Sequence, residues 1–329
     1  MATAGSRIRS HLLNYGIAFL IILALNFVLP RLMPGDPMTA MYGQDVLAEM
    51  SPELQAEIRE SLGLSEPLWN QFFGYITSVL TGDLGYSVYH GRSVLSVTAE
   101  YLIWTLLLSG TALVCAFLIG VLLGLESGWK RGSVLDKSLV TGLMCISGVP
   151  GFFTGIVLLL IFSLGLGLFP AQGAMSPYAG LSGMSLVKDV ILHLVLPAAA
   201  LTLAFTPGYF LLMRNSLVGI TREPFVLTAQ SKGLEESRVK ISHAGRNALL
   251  PVVTASGIHL STRLITGALF VEIVFSYPGM GTLIYQAVRT RDYPVLQGAL
   301  FLLTILILSV NFCVDILYRY LDPRIRHAH

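Results

Sequence analysis

Long apolar runs alternate with polar segments along the chain, and the runs have the length of membrane crossings. A bilayer core takes about 20 apolar residues in helical form. Six stretches meet that length: 12–33, 101–125, 139–169, 191–213, 252–275 and 297–317. The third is longer than one straight crossing needs, and its Gly-Val-Pro-Gly segment (148–151) predicts either a kink or the point of entry into the membrane. We therefore predict an all-α, polytopic membrane protein with six transmembrane helices.

Composition agrees with a membrane as the main solvent. Of the 329 residues, 54% are hydrophobic and 12% are charged, whereas soluble domains average about 25% charged residues. This composition excludes an ordinary soluble enzyme, a nucleic-acid-binding protein and a disordered protein. The three cysteines lie far apart in apolar runs, so no disulfide framework is expected.

The distribution of lysine and arginine predicts the orientation in the membrane. If the N-terminus is cytoplasmic, 14 of the 21 basic residues fall on the inner side and 6 on the outer side, with Arg263 inside a span. Because inner loops are enriched in basic residues, we expect both termini in the cytoplasm of a cell-membrane protein. The first run follows Arg7 and Arg9 but is too long for a signal peptide, so we interpret it as a retained span.

This orientation divides the chain into five segments. They are a cytoplasmic N-terminus (1–11), the first span (12–33), an extracytoplasmic loop subdomain (34–100), a transmembrane core (101–321) with an inner loop (214–251), and a cytoplasmic tail (322–329).

The outer loop contains two predicted helices. Ser51 is a hydroxyl cap ahead of a proline and an acid, which starts a helix, and Gly63 is a plausible stop. A second, amphipathic helix is predicted over 67–80, and its shared apolar face consists of Trp69, Phe72, Phe73, Ile76 and Leu80. Two interpretations stay open: the loop only packs on the spans, or it is a docking surface for an external partner.

The inner loop is basic and also contains two predicted helices. Thr221 is the expected cap of a short helix over 222–232, with Pro224 in its first turn and Gly233 as its stop. A second helix runs from about 235 to 250, where a proline opens the fifth span. A short helix that buries little surface between two spans suits an element that a soluble partner binds and moves together with the attached spans. The alternative is a solvated basic loop that only obeys the charge rule.

The inner loop also carries a family resemblance. Its run FVLTAQSKGLEESRVKISHAGRNALLP (225–251) is similar to the EAA-loop region of ABC-importer permeases, specifically the dipeptide, oligopeptide and nickel branch. Further landmarks of that branch appear in order across nearly the whole chain. They are LPRLMPGDP (29–37), LGLSEPLWNQF (62–72), GDLGYS (82–87), FSYPGMG (275–281), RDYPVLQG (291–298) and LDPRIRH (321–327).

The resemblance implies a type I importer permease paired with a homologous second permease, two cytoplasmic ATPases and an extracytoplasmic solute-binding protein. It makes the helix over 222–232 the element that docks on the ATPase. The residues it assigns to ATPase coupling are Arg222, Glu223, Pro224, Phe225, Thr228, Ala229, Lys232 and Gly233. The acid that names the motif is absent, with Leu227 and Thr228 in its place, and Gly245 replaces a bulkier apolar residue and is expected to loosen the second helix.

No energy-supplying site is evident in the chain itself. It contains no GxxxxGK[ST] phosphate loop. ATP and Mg²⁺ are therefore expected only in the partner ATPases, and the chain is not expected to be an enzyme or to hold a cofactor.

Polar residues inside the spans are the candidate translocation path. A polar stripe on the fifth span consists of Ser256, His259, Arg263 and Thr266, with Phe270 extending it. The alternative is an interhelical hydrogen-bond cluster. Glu272 and Asp315 lie near span ends, where they are expected to reach water. His193 and His259 lack metal-ligand spacing, so no metal site is predicted.

The leading functional hypothesis is a permease of an ATP-driven peptide importer that works by alternating access. A nickel or metal-chelate importer permease is the alternative within the family. An autonomous secondary carrier is the alternative from another class, and a membrane enzyme would need a catalytic motif such as HExxH or GxSxG, which is absent.

Overall fold

The computed structural model describes residues 4–32, 37–61, 65–87, 89–253, 256 and 268–321. Its regular structure is almost entirely helical. The helices are α1 (Ala4–Leu32), α2 (Pro37–Tyr42), α3 (Gln44–Glu49), α4 (Pro52–Ser61), α5 (Leu68–Thr81), α6 (Val94–Trp129), α7 (Val134–Ser147), α8 (Gly151–Leu158, continued by a π-helical turn, Leu159–Gly165), α9 (Met184–Ile220), α10 (Pro224–Ser231), α11 (Glu236–Arg238, a π-helical turn Val239–Gly245, and 246–253), α12 (Ala268–Val274), α13 (Met280–Thr290) and α14 (Tyr293–Leu321). Strands β1 (Tyr86–Ser87) and β2 (Arg92–Ser93) pair as a short antiparallel hairpin.

Among the described residues, three helices are long and apolar enough to cross a membrane: α6, α9 and α14. α7 and α8 meet these criteria together, but they are bent by 97°. Within α1 the apolar helical run Tyr15–Val28 is shorter, and most of the predicted fifth span (252–275) lies outside the described residues. The count of six spans therefore stays a prediction.

The break between α7 and α8 lies in the Gly-Val-Pro-Gly segment, which confirms that the third apolar run is not one straight helix. Pro150 is extended, with ψ of 140°, and α8 starts directly after it. A proline has no backbone N–H to donate into the preceding turn, which favours a break here, and the extended backbone of Pro150 ends the helical path; α9, by contrast, stays helical through Pro197 and Pro207.

The chain divides into two compact units. The first contains Met1–Ile103 and Gly279–Ser309, and the second contains Trp104–Pro278 and Val310–His329.

In the first unit, α1, α5 and the start of α14 share a small core. Leu23, Val79 and Phe301 are its buried members. The side-chain amide of Asn26 donates to the backbone oxygen of Gln297 at 2.9 Å. Because Asn26 is only 3% exposed, this hydrogen bond offsets part of the cost of burying its amide nitrogen, whereas its Oδ1 is buried without a partner.

Both helices predicted in the outer loop are present in this unit. The Ser51 hydroxyl accepts a hydrogen bond from the backbone N–H of Leu54 at 3.2 Å, which confirms the predicted cap of α4. α5 occupies nearly the whole predicted range. The predicted stop at Gly63 lies outside the described residues.

In the second unit, α6 and α9 form the centre of the core. Tyr209, Met213 and Leu217 of α9 are buried there, and Phe117 of α6 packs edge-on against the ring of Tyr209 with ring centres 5.7 Å apart. Both helices extend beyond the predicted apolar runs: α9 continues to Ile220, past residue 214 where the inner loop was predicted to begin.

Candidate functional site

The inner loop folds into α10 and α11, so the two helices predicted there are present. Pro224 is the first residue of α10, and Gly233 follows its end with φ of 69°, a left-handed conformation that favours glycine. The prediction that Thr221 caps this helix is wrong. Glu223 is the capping position and makes no side-chain cap, while the Thr221 hydroxyl donates to the oxygen of Val218 at the end of α9.

α10 has one buried face and one exposed face. Val226 and Ala229 are buried, and α10 packs against the π-helical turn of α11. Phe225 and Leu227 are 42% and 52% exposed and lie on opposite flanks of the buried face, because residues two positions apart point in nearly opposite directions on a helix. The remaining predicted coupling residues are exposed as well: Arg222, Glu223, Pro224, Thr228, Lys232 and Gly233. The structure therefore buries Ala229 beneath the helix and leaves one exposed apolar side chain on each flank of the buried face.

The inner end of α9 is tied to the first turn of α7 by a buried ion pair. Arg214 Nε and Nη2 donate to the two carboxylate oxygens of Asp136 at 2.6 and 2.9 Å. The Ser127 hydroxyl and the Gly132 backbone N–H donate to the same carboxylate at 2.5 and 2.9 Å. Four donors around one carboxylate compensate the cost of burying it, so this point fixes the start of the inner loop.

The returning helix α11 is tied to the same end of α6. The indole Nε1 of Trp129 donates to Glu236 Oε1 at 2.6 Å, and the ammonium of Lys240 contacts the carboxylate of Glu126. Glu126 and Trp129 are three residues apart, which is within one helical turn, and they form the end of α6. The two sides of the inner loop are therefore held where α6 meets α7, by Asp136 of α7 and by Glu126 and Trp129 of α6.

A row of glycines lets α6 approach α9 closely. A Cβ atom added at Gly120 would lie 2.6 Å from Tyr209 Cβ. At Gly124 it would lie 2.7 Å from the Phe210 oxygen, and at Gly128 it would lie 3.0 Å from the Arg214 oxygen. The row is not among the features predicted above, although small residues at every fourth position of an apolar helix indicate close helix packing.

Gly245 has a related role in α11. It ends the π-helical turn, and a Cβ atom there would lie 2.8 Å from the Lys240 oxygen and 3.0 Å from Leu125 Cδ1 of α6. The expected loosening of the second helix thus corresponds to a π-helical turn, and the missing side chain makes room for α6.

Comparison with known proteins identifies the family. Residues 116–327 match the model described as "Binding-protein-dependent transport system inner membrane component", and residues 8–107 match the N-terminal model of the same transport-system membrane components. The chain belongs to this permease family. It is 35% identical over 323 residues to the di/tripeptide transport system permease protein DppB of Pseudomonas aeruginosa (strain UCBPP-PA14), which covers 94% of this chain and 95% of that protein.

Other relatives agree over similar lengths. The dipeptide transport system permease protein DppB of Escherichia coli (strain K12) is 35% identical over 329 residues, covering 94% of this chain and 95% of that protein. The glutathione transport system permease protein GsiC of Salmonella choleraesuis (strain SC-B67) is 34% identical over 310 residues and covers 94% of each chain.

The fold is also that of a solved transporter. The inward-facing MetNI methionine ABC transporter matches with a TM-score of 0.55 at 18% identity, covering 69% of this chain and 96% of that chain. At this identity the match supports the permease fold alone. The chain is thus a multi-pass membrane component of a transport system, with an ABC-importer permease fold.

Two members of the candidate translocation path, Ser256 and Phe270, lie within the described residues. Ser256 donates its hydroxyl to the Val252 oxygen, four residues earlier, at 2.7 Å. Phe270 is exposed and contacts Phe152, with ring centres 5.8 Å apart. The other three members, His259, Arg263 and Thr266, lie outside the described residues.

Two further polar residues in apolar surroundings are accounted for by local contacts. Glu272 is fully buried, so the expectation that it reaches water is wrong, and its Oε1 accepts the Thr105 hydroxyl at 2.6 Å. His193 is buried with its Nδ1 2.8 Å from the Asp189 oxygen. In the described part of the chain no three His, Cys, Asp or Glu side chains form a group that could hold a metal. The side chain of Asp315 is outside the described residues.

Proposed function

We propose that this permease subunit carries di- and oligopeptides into the cell, by alternating access driven by ATP hydrolysis in partner subunits. The support is the full-length similarity to permeases named for dipeptides, di/tripeptides and glutathione, which is itself a tripeptide. The nickel alternative has no such support, and neither does an autonomous carrier, because the similarity is to components of binding-protein-dependent systems.

In this proposal α10 is the helix that docks on the ATPase. The observation that carries it is the burial pattern of α10: Val226 and Ala229 are buried against α11, whereas Phe225 and Leu227 are exposed on either flank of a short helix on the proposed cytoplasmic side. A groove of the ATPase that encloses the exposed part of α10 would contact both side chains, and a few buried anchors supply much of the affinity of a protein interface. Arg222, Glu223, Thr228 and Lys232 would form the polar rim around them, with Pro224 and Gly233 setting the ends of the helix.

Membership of the family supports an assembly with partner subunits. A homologous second permease, two cytoplasmic ATPases holding ATP and Mg²⁺, and an extracytoplasmic binding protein complete the transporter in the cytoplasmic membrane. Both termini and the loop 214–251 would face the cytoplasm, and the loop 34–100 would face outward. Ser256, His259, Arg263, Thr266 and Phe270 are the proposed lining of the path. This chain would hold no cofactor and catalyse no reaction itself.

The docking face is tested with the double variant Phe225→Ser/Leu227→Ser in the assembled complex. We expect an equal amount of the permease in the membrane fraction but at least about tenfold lower recovery of the ATPase. Truncating an interface anchor typically costs more than about 1 kcal/mol of binding free energy, and the variant truncates two. Val134→Ser, which removes an exposed apolar side chain from α7, is the matched control and should leave recovery unchanged. Unchanged recovery of the ATPase with the double variant would refute the assignment.

The substrate is tested with the intact complex and its binding protein. A peptide series should raise the rate of ATP hydrolysis, and nickel salts should not. Stimulation by nickel alone would favour the metal importer, and peptide uptake by the permease without any ATPase would favour the carrier.

A further inference from the structure

The helix α5 has three distinct faces, and only two of them are explained by the contacts of the first unit. At about 100° per residue, Phe72, Tyr75 and Val79 share one sector, and they pack on α1. A second sector is polar and lines a cavity of about 380 Å³ with Asn70, Gln71, Gly74 and Ser78. The third sector is apolar and exposed.

This third sector is large and lacks charge. Trp69, Phe73 and Leu80 are 73%, 60% and 71% exposed, and the rings of Trp69 and Phe73 stack with their centres 6.4 Å apart. The segment 68–81 contains no charged residue. Contiguous apolar surface of this kind marks a contact with a protein or a membrane.

The contacts with α1 fix the position of α5 along the axis of α1, the helix of the predicted first span. Gln71 accepts a hydrogen bond from Arg31 at 2.9 Å, Phe72 and Tyr75 contact the ring of Phe27, and Val79 shares a core with Leu23. From Arg31 to Leu23 the α1 axis covers about 12 Å at 1.5 Å per residue. α5 therefore runs antiparallel to α1, from the end of the apolar run towards its middle.

We propose that α5 is immersed in one leaflet of the bilayer, with its Trp69–Phe73–Leu80 face against the acyl chains and Trp69 near the headgroups. At the same position along its axis, α1 also exposes apolar side chains, those of Leu25 and Val28. A helix at this height with an uncharged face meets hydrocarbon on one side, while its polar sector faces the cavity. Indole at the shallow end fits the preference of tryptophan for the membrane interface. This inference does not depend on the transported solute or on the ATPase contact.

Depth-dependent fluorescence quenching tests the proposal on the full chain in liposomes. The lipids are phosphatidylcholines brominated either near the headgroup end or near the methyl end of the acyl chain. The signal of Trp69 is obtained as the difference between the wild-type chain and Trp69→Phe. We expect Trp69 to be quenched more strongly by the shallow bromines. A tryptophan introduced by Leu80→Trp into the Trp69→Phe chain should be quenched more by the deep bromines than Trp69 is.

Leu54→Trp in the same Trp69→Phe chain is the matched control. It places a tryptophan on α4, which carries Glu53, Glu57, Arg59 and Glu60, and should respond to aqueous iodide but to neither brominated lipid. The proposal is overturned if Trp69 behaves like this control. It is also overturned if adding the binding protein or the second permease abolishes the lipid quenching of Trp69, because a protein would then be the occupant. The Trp69 measurement stands without Leu80→Trp should that variant not fold.

Discussion

Replacing Gly124 by alanine tests whether the close contact between α6 and α9 holds the inner loop in place. The added Cβ would lie 2.7 Å from the Phe210 oxygen and 2.8 Å from Met213 Cβ, whereas ordinary contact begins at 3.4 Å. The obstructing atoms belong to backbone or to a Cβ, so no side-chain rotation relieves the clash. The two helices must separate by about 0.7 Å.

Gly110 supplies the matched control for this change. It lies on the same helix, and a Cβ atom there meets nothing within 4 Å. Both substitutions gain the same helix propensity, up to about 1 kcal/mol relative to glycine. The difference between them therefore isolates the steric cost, and overpacking of a tight contact costs about 1–3 kcal/mol. We expect Gly124→Ala to be less stable than Gly110→Ala by that amount.

The displacement also has a functional consequence. Arg214 follows Phe210 by one turn on α9, and its 2.6 Å contact with Asp136 has little room to stretch. We therefore expect Gly124→Ala to lose peptide-stimulated ATP hydrolysis while Gly110→Ala keeps it. Thermal unfolding of the purified chains in detergent, together with ATP hydrolysis by the assembled complex, measures both effects. Equal unfolding temperatures for the two variants would refute the reasoning.

Three other substitutions test separate parts of the structure. Asp136→Ala leaves the Arg214 charge unpaired and should lower the free energy of unfolding by about 3 kcal/mol. This is the low end for a buried pair, because one-fifth of the Arg214 side chain stays exposed. The double variant with Arg214→Met should recover much of that stability, and no recovery in thermal unfolding would contradict this account. Gly233→Ala should lower the free energy of unfolding by about 1–2 kcal/mol, because position 233 has a left-handed backbone and a Cβ atom there meets nothing else within 4 Å. Gly233→Asn should have a smaller effect, and thermal unfolding and recovery of the ATPase measure both variants. Glu272→Gln should be better tolerated than Glu272→Leu, because the amide oxygen still accepts the Thr105 hydroxyl; equal unfolding temperatures would argue against that contact.

The elements that sequence analysis predicted well are those specified by adjacent residues. Ser51 starts α4, Pro224 starts α10 and Gly233 ends it, since caps and turn residues act within a few positions. The break at 148–151 has the same local origin. The Thr221 prediction failed because α9 stays helical through Ile220, and the hydroxyl therefore serves the end of α9.

The contacts that organise the candidate site were not predictable in this way. Asp136 and Arg214 are 78 residues apart, and Trp129 and Glu236 are 107 residues apart. No local pattern indicates that such residues meet, because their proximity depends on how α6, α9 and α11 pack. The exposure of α5 is of the same kind: periodicity predicted its apolar face, but only packing shows that Trp69 is left uncovered.

The contacts of the inner loop with α6 and α7 bear on how a movement of α10 would be transmitted to the other helices. Arg214 near the end of α9 pairs with Asp136 of α7, and Lys240 of α11 pairs with Glu126 of α6. A loop held at one end could bend at its other end and absorb the motion of a docked partner. This loop is tied at Arg214 to α7 and at Lys240 to α6, so bending it would disturb an ion pair or the packing of α10 on α11. We therefore expect motion of α10 to be transmitted to the adjoining ends of α6, α7 and α9, and the glycine contact between α6 and α9 to keep those two helices together.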